Sequence, residues 1–415
     1  MPGPGSGVDP LGPVFISYRT SDGAHLAYEM AWALRCAGAP VWHDQEDLPP
    51  GDTRARLKEA LTRGLSGAVL LVTPEIRHSK VIQEVELPEL LRLHADPDFT
   101  FVVASAIEKA GRPGDLDYEA PDRLLALPPG TLTGLKQYPL FEAESFGTIA
   151  ESLVRRRMEA FRGRGDDVLR IDLQTRMAPQ AFANQTALVV RMPPPKKGFR
   201  ALSPETWPPL QAFLAALPAL VDASGAKRVL LEGGAHLSAA FAVGAALPAT
   251  SRWPLSVQDQ NQVVWETRGI GSAAGLDHQE KILGARRLPV AVLVDLVSTD
   301  PPTRAFEELV EARKGDYSAI LKVQLAPRRM LLPEEIGSTT CSIASRIRDF
   351  AGRQDTNEVH LCLRTSFPAA VFLGRLFNTF QITLFELEDG AGRPAYLPMI
   401  TVSSGRGGGP IIKIF

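Results

Sequence analysis

Two ungapped segments, Val229–Leu247 (VLLEGGAHLSAAFAVGAAL) and Val359–Phe377 (VHLCLRTSFPAAVFLGRLF), repeat the same residue types at a constant offset, since 359 − 229 and 374 − 244 both equal 130. Each reads as a short apolar strand, a tight polar turn, then a helix with an Ala-Ala pair and a glycine one turn on. The turns are Gly233-Gly234 and Arg364-Thr365-Ser366. A strand that feeds a helix through such a turn aims unpaired backbone N–H groups, and the positive end of the helix dipole, at one spot. Two copies make two facing anion spots, which suits a ligand with several phosphates better than a mononucleotide. The same pattern also describes two ordinary βα units whose small residues serve helix–sheet packing. The pattern alone leaves both readings open.

Other signatures of chemistry fail. There is no phosphate loop of the GxxxxGK type and no HExxH, and GIGSAAG (269–275) misses the dinucleotide fingerprint by one residue of spacing. The seven histidines are scattered, and Asp295 and Asp300 read as strand-end caps rather than a metal pair. No metal and no resident cofactor is expected. Cys36, Cys341 and Cys362 are far apart in apolar surroundings, as buried thiols in a reducing compartment would be. A net charge of −2 argues against general nucleic-acid binding and leaves room for a local basic pocket. No apolar stretch approaches the ~18 residues of a membrane span. The opening MPGPGSGVDPLGP lacks a basic-then-apolar signal layout and reads as a flexible lead-in. The expected location is the cytoplasm, without membrane attachment.

At 415 residues the chain has room for two or three domains. From Val14 strand-like and helix-like blocks alternate: VFISY (14–18), a helix from about His25 to Cys36 with Asp22 as its cap and Gly38 at its end, and a strand from Val41-Trp42. Next in the chain are the loop HDQEDLPPGD (43–52), a helix to about Arg63, GAVLLVT (67–73), a helix opened by Ser79 and disturbed by Pro88, and FTFVVAS (99–105). Such alternation implies a parallel sheet with helices on both faces. Residues 111–130 read as a long surface loop, 144–160 as an amphipathic helix, and the Gly163/Gly165 stretch as a seam. Beyond Val168 come a wholly basic hairpin (RMPPPKKGFR, 191–200), strands at 291–297, 318–324 and 381–386, and an edge strand at 411–415. The expected divisions are 1–12 as lead-in, 13–160, a linker at 161–167, and 168–415.

Three blocks in order carry a resemblance to the Toll/interleukin-1 receptor (TIR) domain: VFISY (14–18), VWHDQEDLPPGDTRARLKEAL (41–61) and GAVLLVTPEIRHSKVIQEVE (67–86). They resemble its opening strand, its second strand with the mobile Pro/Gly loop and next helix, and its third strand with the helix after it. The resemblance implies a flavodoxin-like parallel sheet. It also implies, as in the TIR domains that cleave NAD between nicotinamide and ribose, a glutamate early in the helix after the third strand. In that W-V-x-x-E-like context Glu84 takes the catalytic position, and Lys80 stands where the family has an aromatic residue. Glu86 is the competitor, although two helical positions lie ~200° apart and cannot both face one pocket. Ser17, Arg19, Asp44 and Lys80 are the NAD contacts the resemblance implies.

The repeat segments, the block VVWET (263–267) and the ending 359–400 resemble the SAVED domain, a cyclic-oligonucleotide sensor made of two fused CARF-like Rossmann halves. That duplication accounts for the 130-residue offset. Within this frame, backbone groups at Gly233, Gly234, Thr365 and Ser366 are expected to take phosphates, Lys196, Lys197, Arg364 and Arg375 to supply charge, and Trp253 and Trp265 to stack on bases. The chain as a whole resembles a TIR-SAVED effector of bacterial anti-phage signalling. The resemblance implies NAD as substrate, with nicotinamide and ADP-ribose as products. A cyclic oligonucleotide, expected to be a trinucleotide, is the activator, with self-association into a head-to-tail oligomer or filament. The alternative is a TIR scaffold that recruits partners without catalysis, and weaker still is a nucleoside-processing enzyme with its catalytic group in the C-terminal half.

Overall fold

A computed structural model describes residues 7–42, 64–142, 144–176, 186–267, 271–297, 303–389, 392–405 and 408–415. The expected loop Asp44–Asp52, the helix after it and Asp300 lie outside these residues. The chain divides into two compact units, one of Met1–Leu169, Gln180–Arg191 and Ala223–Ala226, the other of Arg170–Pro179, Met192–Asp222 and Lys227–Phe415.

The first unit is built on a five-stranded sheet in the order Val41–Trp42, Val14–Ser17, Gly67–Val72, Thr100–Ser105, Gln137–Pro139, with every pair parallel. Its central strand Gly67–Val72 is buried at every position, as a strand covered on both faces must be. The helix Thr20–Ala37 buries Ala27, Met30, Ala31 and Leu34, one stripe at i, i+3, i+4 and i+7. It starts earlier than the sequence suggests, with Arg19 at the N-cap, and Asp22 does not cap it. The Asp22 carboxylate instead accepts from Thr73 Oγ1 at 2.8 Å and the Glu75 N–H at 2.9 Å, tying this helix to the turn Pro74–His78 after the third strand.

The stretch expected as one long loop at 111–130 holds a hairpin, Glu108–Lys109 with Arg112–Leu116, and a short helix Ala120–Leu124. Buried Asp122 organises the turn after this helix, accepting from the N–H groups of Leu132 (2.7 Å) and Gly130 (2.9 Å) and from Thr133 Oγ1 (2.8 Å). The last helix, Ser145–Arg164, runs through most of the stretch read as a seam.

In the second unit the strands Val264–Glu266, Leu255–Gln258 and Arg228–Gly234 lie side by side in one sheet. A seven-stranded sheet has the order Leu276–Ile282, Ala319–Leu325, Val290–Asp295, Glu358–Arg364, Gln381–Glu388, Ala395–Val402, Ile411–Ile414, parallel at its centre and antiparallel at its margins. The two repeat segments supply one βα unit to each sheet: Arg228–Gly234 with the helix Leu237–Ala246, and Glu358–Arg364 with Phe367–Gly374.

These two helices pack against each other through equivalent glycines. A Cβ on Gly244 would lie 2.0 Å from the Val371 carbonyl oxygen, and one on Gly374 would lie 2.0 Å from that of Phe241. Both contacts join positions related by the 130-residue offset, so the duplication is a local two-fold crossing of backbones. The repeat glycines therefore serve packing, helix on helix. The turns at the helix starts are brought together by the same crossing.

Candidate functional site

In the first unit Ser17, Arg19, Lys80 and Glu84 lie at or after the carboxyl ends of two neighbouring parallel strands, where open α/β sheets bind ligands. Ser17 ends the first strand, and its Oγ donates to Glu86 Oε2 at 2.6 Å with both side chains buried, at 1% and 6% exposure. Glu86 closes a π-turn, Ile82–Glu86, in which the Leu87 N–H bonds the Ile82 carbonyl five residues back. Pro88 comes next and has no N–H to give to the Glu84 carbonyl, so the wider turn accommodates it at the disturbance the sequence predicts. Glu84 is thereby left exposed while Glu86 turns inward. Lys80 is exposed near the start of the same helical segment, and Arg19 Nε donates to Ser21 Oγ at 2.8 Å. Asp44 lies outside the described residues. The arrangement offers one carboxylate to solvent and uses the other to fasten the helix to the first strand.

In the second unit two adjoining hollows of about 610 and 530 Å³ share Arg176, Leu237, Val297 and Thr365 in their walls. Each is within the ~300–1,000 Å³ of ligand clefts, and joined they exceed what a mononucleotide fills. One is lined by both repeat turns, through Gly233, Gly234, Thr365 and Ser366, and by Trp265. The other is lined by Lys196, Lys197, Arg200 and Arg364. Two of the residues expected to hold the ligand are placed elsewhere: Trp253 and Arg375 line a separate cavity.

The two turns are not equivalent. At the first, Ser238 donates both its N–H (2.7 Å) and its Oγ (2.6 Å) to Glu386 Oε1, so a carboxylate of the chain itself already sits at the helix N-terminus. The N-cap His236 is locked beside it: its N–H donates to Thr175 Oγ1 at 2.9 Å, and Nε2 lies 2.5 Å from the Arg200 carbonyl oxygen. Burial lowers the pKa of His236, against the pull of Glu386. Gly233, at φ +116°, is needed where a Cβ would meet the Leu173 carbonyl oxygen at 2.3 Å. At the second turn Ser366 is the N-cap and makes no side-chain cap, and Thr365 Oγ1 is buried without a hydrogen-bond partner. Among the described residues no carboxylate accepts from this helix start, which leaves the second turn the freer one for an anion.

Charge favours the same end. Arg364 Nη1 and Arg328 Nη2 both reach Asp295 Oδ2, at 3.2 and 3.1 Å, so one buried carboxylate faces two guanidinium groups. Lys196 pairs with Glu205 at 2.9 Å and Arg200 with Asp389 at 2.8 Å, whereas Arg176 and Lys197 have no ion-pair partner among the described residues. Trp265 is held rather than free, its Nε1 donating to Asp259 Oδ2 at 3.0 Å. Arg176, Asp259 and Glu386 join the site without having been expected there. Glu386 carried a signal, an acidic residue set between Phe385 and Leu387 in the strand QITLFELE. Arg176 and Asp259 carried none, because only the turns of two sheets bring them to this wall.

No group of three metal-ligating side chains occurs among the described residues, and no described helix is long and apolar enough to cross a membrane.

Two family models match the chain: the TIR domain over residues 14–119, and SAVED, the SMODS-associated and fused to various effectors sensor domain, over residues 214–402. None of the curated proteins matches. Among solved structures the chain is similar to the Cap4 SAVED/CARF-domain containing receptor of Acinetobacter baumannii with the cyclic trinucleotide 3'3'3'-cAAA, at 13% identity over 79% of this chain and 84% of that one, with a TM-score of 0.47. The same receptor with 2'3'3'-cAAA aligns at 12% identity over 93% and 98%, TM-score 0.46. The Moraxella osloensis Cap4 receptor aligns at 13% identity over 92% and 97%, TM-score 0.43.

Proposed function

For a chain that carries a TIR domain followed by a SAVED sensor domain, we propose a ligand-switched NAD glycohydrolase of anti-phage defence, acting in the cytoplasm. The TIR part is taken as 13–160, the linker as 161–167 and the sensor as 168–415. The sensor binds a cyclic oligonucleotide, the chains associate head to tail, and the TIR domains cleave NAD to nicotinamide and ADP-ribose. The observation that carries this reading is the joined hollow in the second unit, walled by both repeat turns and edged with Arg176, Lys197 and Arg364. A ring of phosphodiesters matches its size and charge better than any single phosphate.

In the TIR domain Glu84 is the carboxylate open to substrate. Nicotinamide leaves as a neutral base, so positive charge develops on the ribose and no second acid is needed. A carboxylate beside that charge stabilises the transition state more than the ground state. Glu86, occupied by Ser17, is the positioning residue: it holds the π-turn, and so the direction of Glu84, against the first strand. An exposed Glu84 is half a site, and a neighbouring chain supplies the rest on association. That makes the enzyme silent until the sensor is filled.

Purified chain incubated with NAD, with and without cyclic tri-adenylate, tests the reading by nicotinamide release. Release that depends on the cyclic nucleotide and rises steeply with protein concentration is expected. Ligand binding and association without nicotinamide release would favour a TIR scaffold instead, for which the exposed Lys80 in the aromatic position is the one supporting feature.

A further inference from the structure

Arg375 and Trp253 line a cavity of about 370 Å³ in the second unit, with Arg228, Ser251, Arg252 and Cys341 also in its wall. Three arginines face it against one carboxylate, Glu266, which already accepts from Ser256 Oγ at 2.8 Å. Arg252 is paired with Asp222 and lies 5.0 Å over the Trp253 ring. Arg375 is 8% exposed, and its Nη2 reaches only the carbonyl oxygens of Pro248 (3.4 Å) and Trp253 (3.3 Å), both long contacts. Its Nη1 has no partner, and neither has the buried Oγ of Ser251.

A buried guanidinium held by only two long carbonyl contacts is costly, and three arginines around one occupied carboxylate call for an explanation. We infer that this cavity is a second anion site, separate from the groove of the repeat turns, and that it takes a small phosphate monoester. A phosphate in the cavity brings acceptor oxygens to the three arginines in its wall, and guanidinium groups bind it in bidentate fashion. The volume falls within the ~300–1,000 Å³ of small-molecule sites and admits a sugar or nucleoside on the phosphate. The Trp253 ring, half-buried and covered on one side by Arg252, adds a flat surface for such a group. Binding here requires neither NAD cleavage nor the cyclic ligand.

Cys341 reports on the cavity directly, because it is exposed and lines it, whereas Cys36 and Cys362 are buried. Burial pushes the Cys36 thiol up to about 12 and that of Cys362 well above its ordinary value, so neither competes for an alkylating agent. The full chain is treated with iodoacetamide in the presence of inorganic phosphate, ribose 5-phosphate, AMP or cyclic tri-adenylate, and Cys341 modification is followed by mass spectrometry. Slowed modification with a monoester is expected. Arg375→Met should weaken that protection about 10–100-fold, the worth of a hydrogen bond to a charged group. Arg252→Gln, a change at an exposed side chain, should weaken it about 2–5-fold. Thr365→Val, in the groove, should leave it unchanged. No protection by any monoester, protection by inorganic phosphate alone, or stronger protection by the cyclic trinucleotide than by every monoester would each overturn the inference.

Discussion

Replacing Gly374 with alanine tests whether the helix crossing holds the two turns in place. The added Cβ would sit 2.0 Å from the Phe241 carbonyl oxygen. An ordinary non-bonded contact needs ~3.5 Å, so the two helices must separate by on the order of 1.5 Å. The clashing atom is backbone and has no rotamer to retreat into. The cost should therefore reach the upper part of the ~1–3 kcal/mol typical of overpacking. Gly244→Ala presents the same 2.0 Å clash to Val371 and should cost about as much. The two sites lie on one crossing, so a separation forced by one substitution makes room for the other. The double variant should cost ~2–3 kcal/mol, well short of the ~4–6 kcal/mol that independent sites would sum to. Urea unfolding of the full chain, followed by tryptophan fluorescence, measures all three. Both helices start at the groove, so on the proposed function each variant should also bind a cyclic oligonucleotide more weakly. Full additivity, or an unchanged unfolding midpoint in either single variant, would refute the shared crossing.

Other outcomes rest on the same geometry. Glu84→Gln should abolish nicotinamide release and leave ligand binding intact, while Glu86→Gln should lower thermal stability together with activity; an inactive, fully stable Glu86→Gln beside an active Glu84→Gln would exchange their roles. Thr365→Val replaces an unpartnered buried hydroxyl by a methyl group, so folding stability should hold or rise, and on the proposed function the affinity for a cyclic oligonucleotide should fall about 2–12-fold by calorimetry for one lost hydrogen bond. For Asp122, burial opposes ionisation, but the hydrogen bonds from Leu132, Thr133 and Gly130 outweigh it and hold the pKa below its ordinary value. Its contribution to stability is therefore present above the unfolded pKa of ~3.9 and lost as pH falls through the lower folded value. Asp122→Asn should destabilise the first unit at neutral pH and flatten that acid limb in pH-dependent melts.

The strand–turn–helix repeat, the parallel sheet of the first unit and the edge strand at the C-terminus were all legible in the sequence. Each rests on local patterns: apolar runs, turn residues, and stripes at helical spacing. The TIR and SAVED domains were legible for the same reason, because their motifs lie in short blocks in order. The direction of Glu84 could not be read this way. Its exposure depends on a π-turn before Pro88, and on a hydrogen bond from Ser17 to Glu86 that spans 69 residues. Nor was the inequality of the two turns legible, since Ser238 and Glu386 stand 148 residues apart and meet only when the strand carrying the glutamate is laid beside the helix start. Trp253 and Arg375 were grouped with the turns by residue type, and the fold gathers them into another cavity. Residue type and spacing decide which elements form and what chemistry is available. Which groups share a pocket is decided by contacts between distant parts of the chain, and those exist only once the sheets and the glycine crossing are assembled.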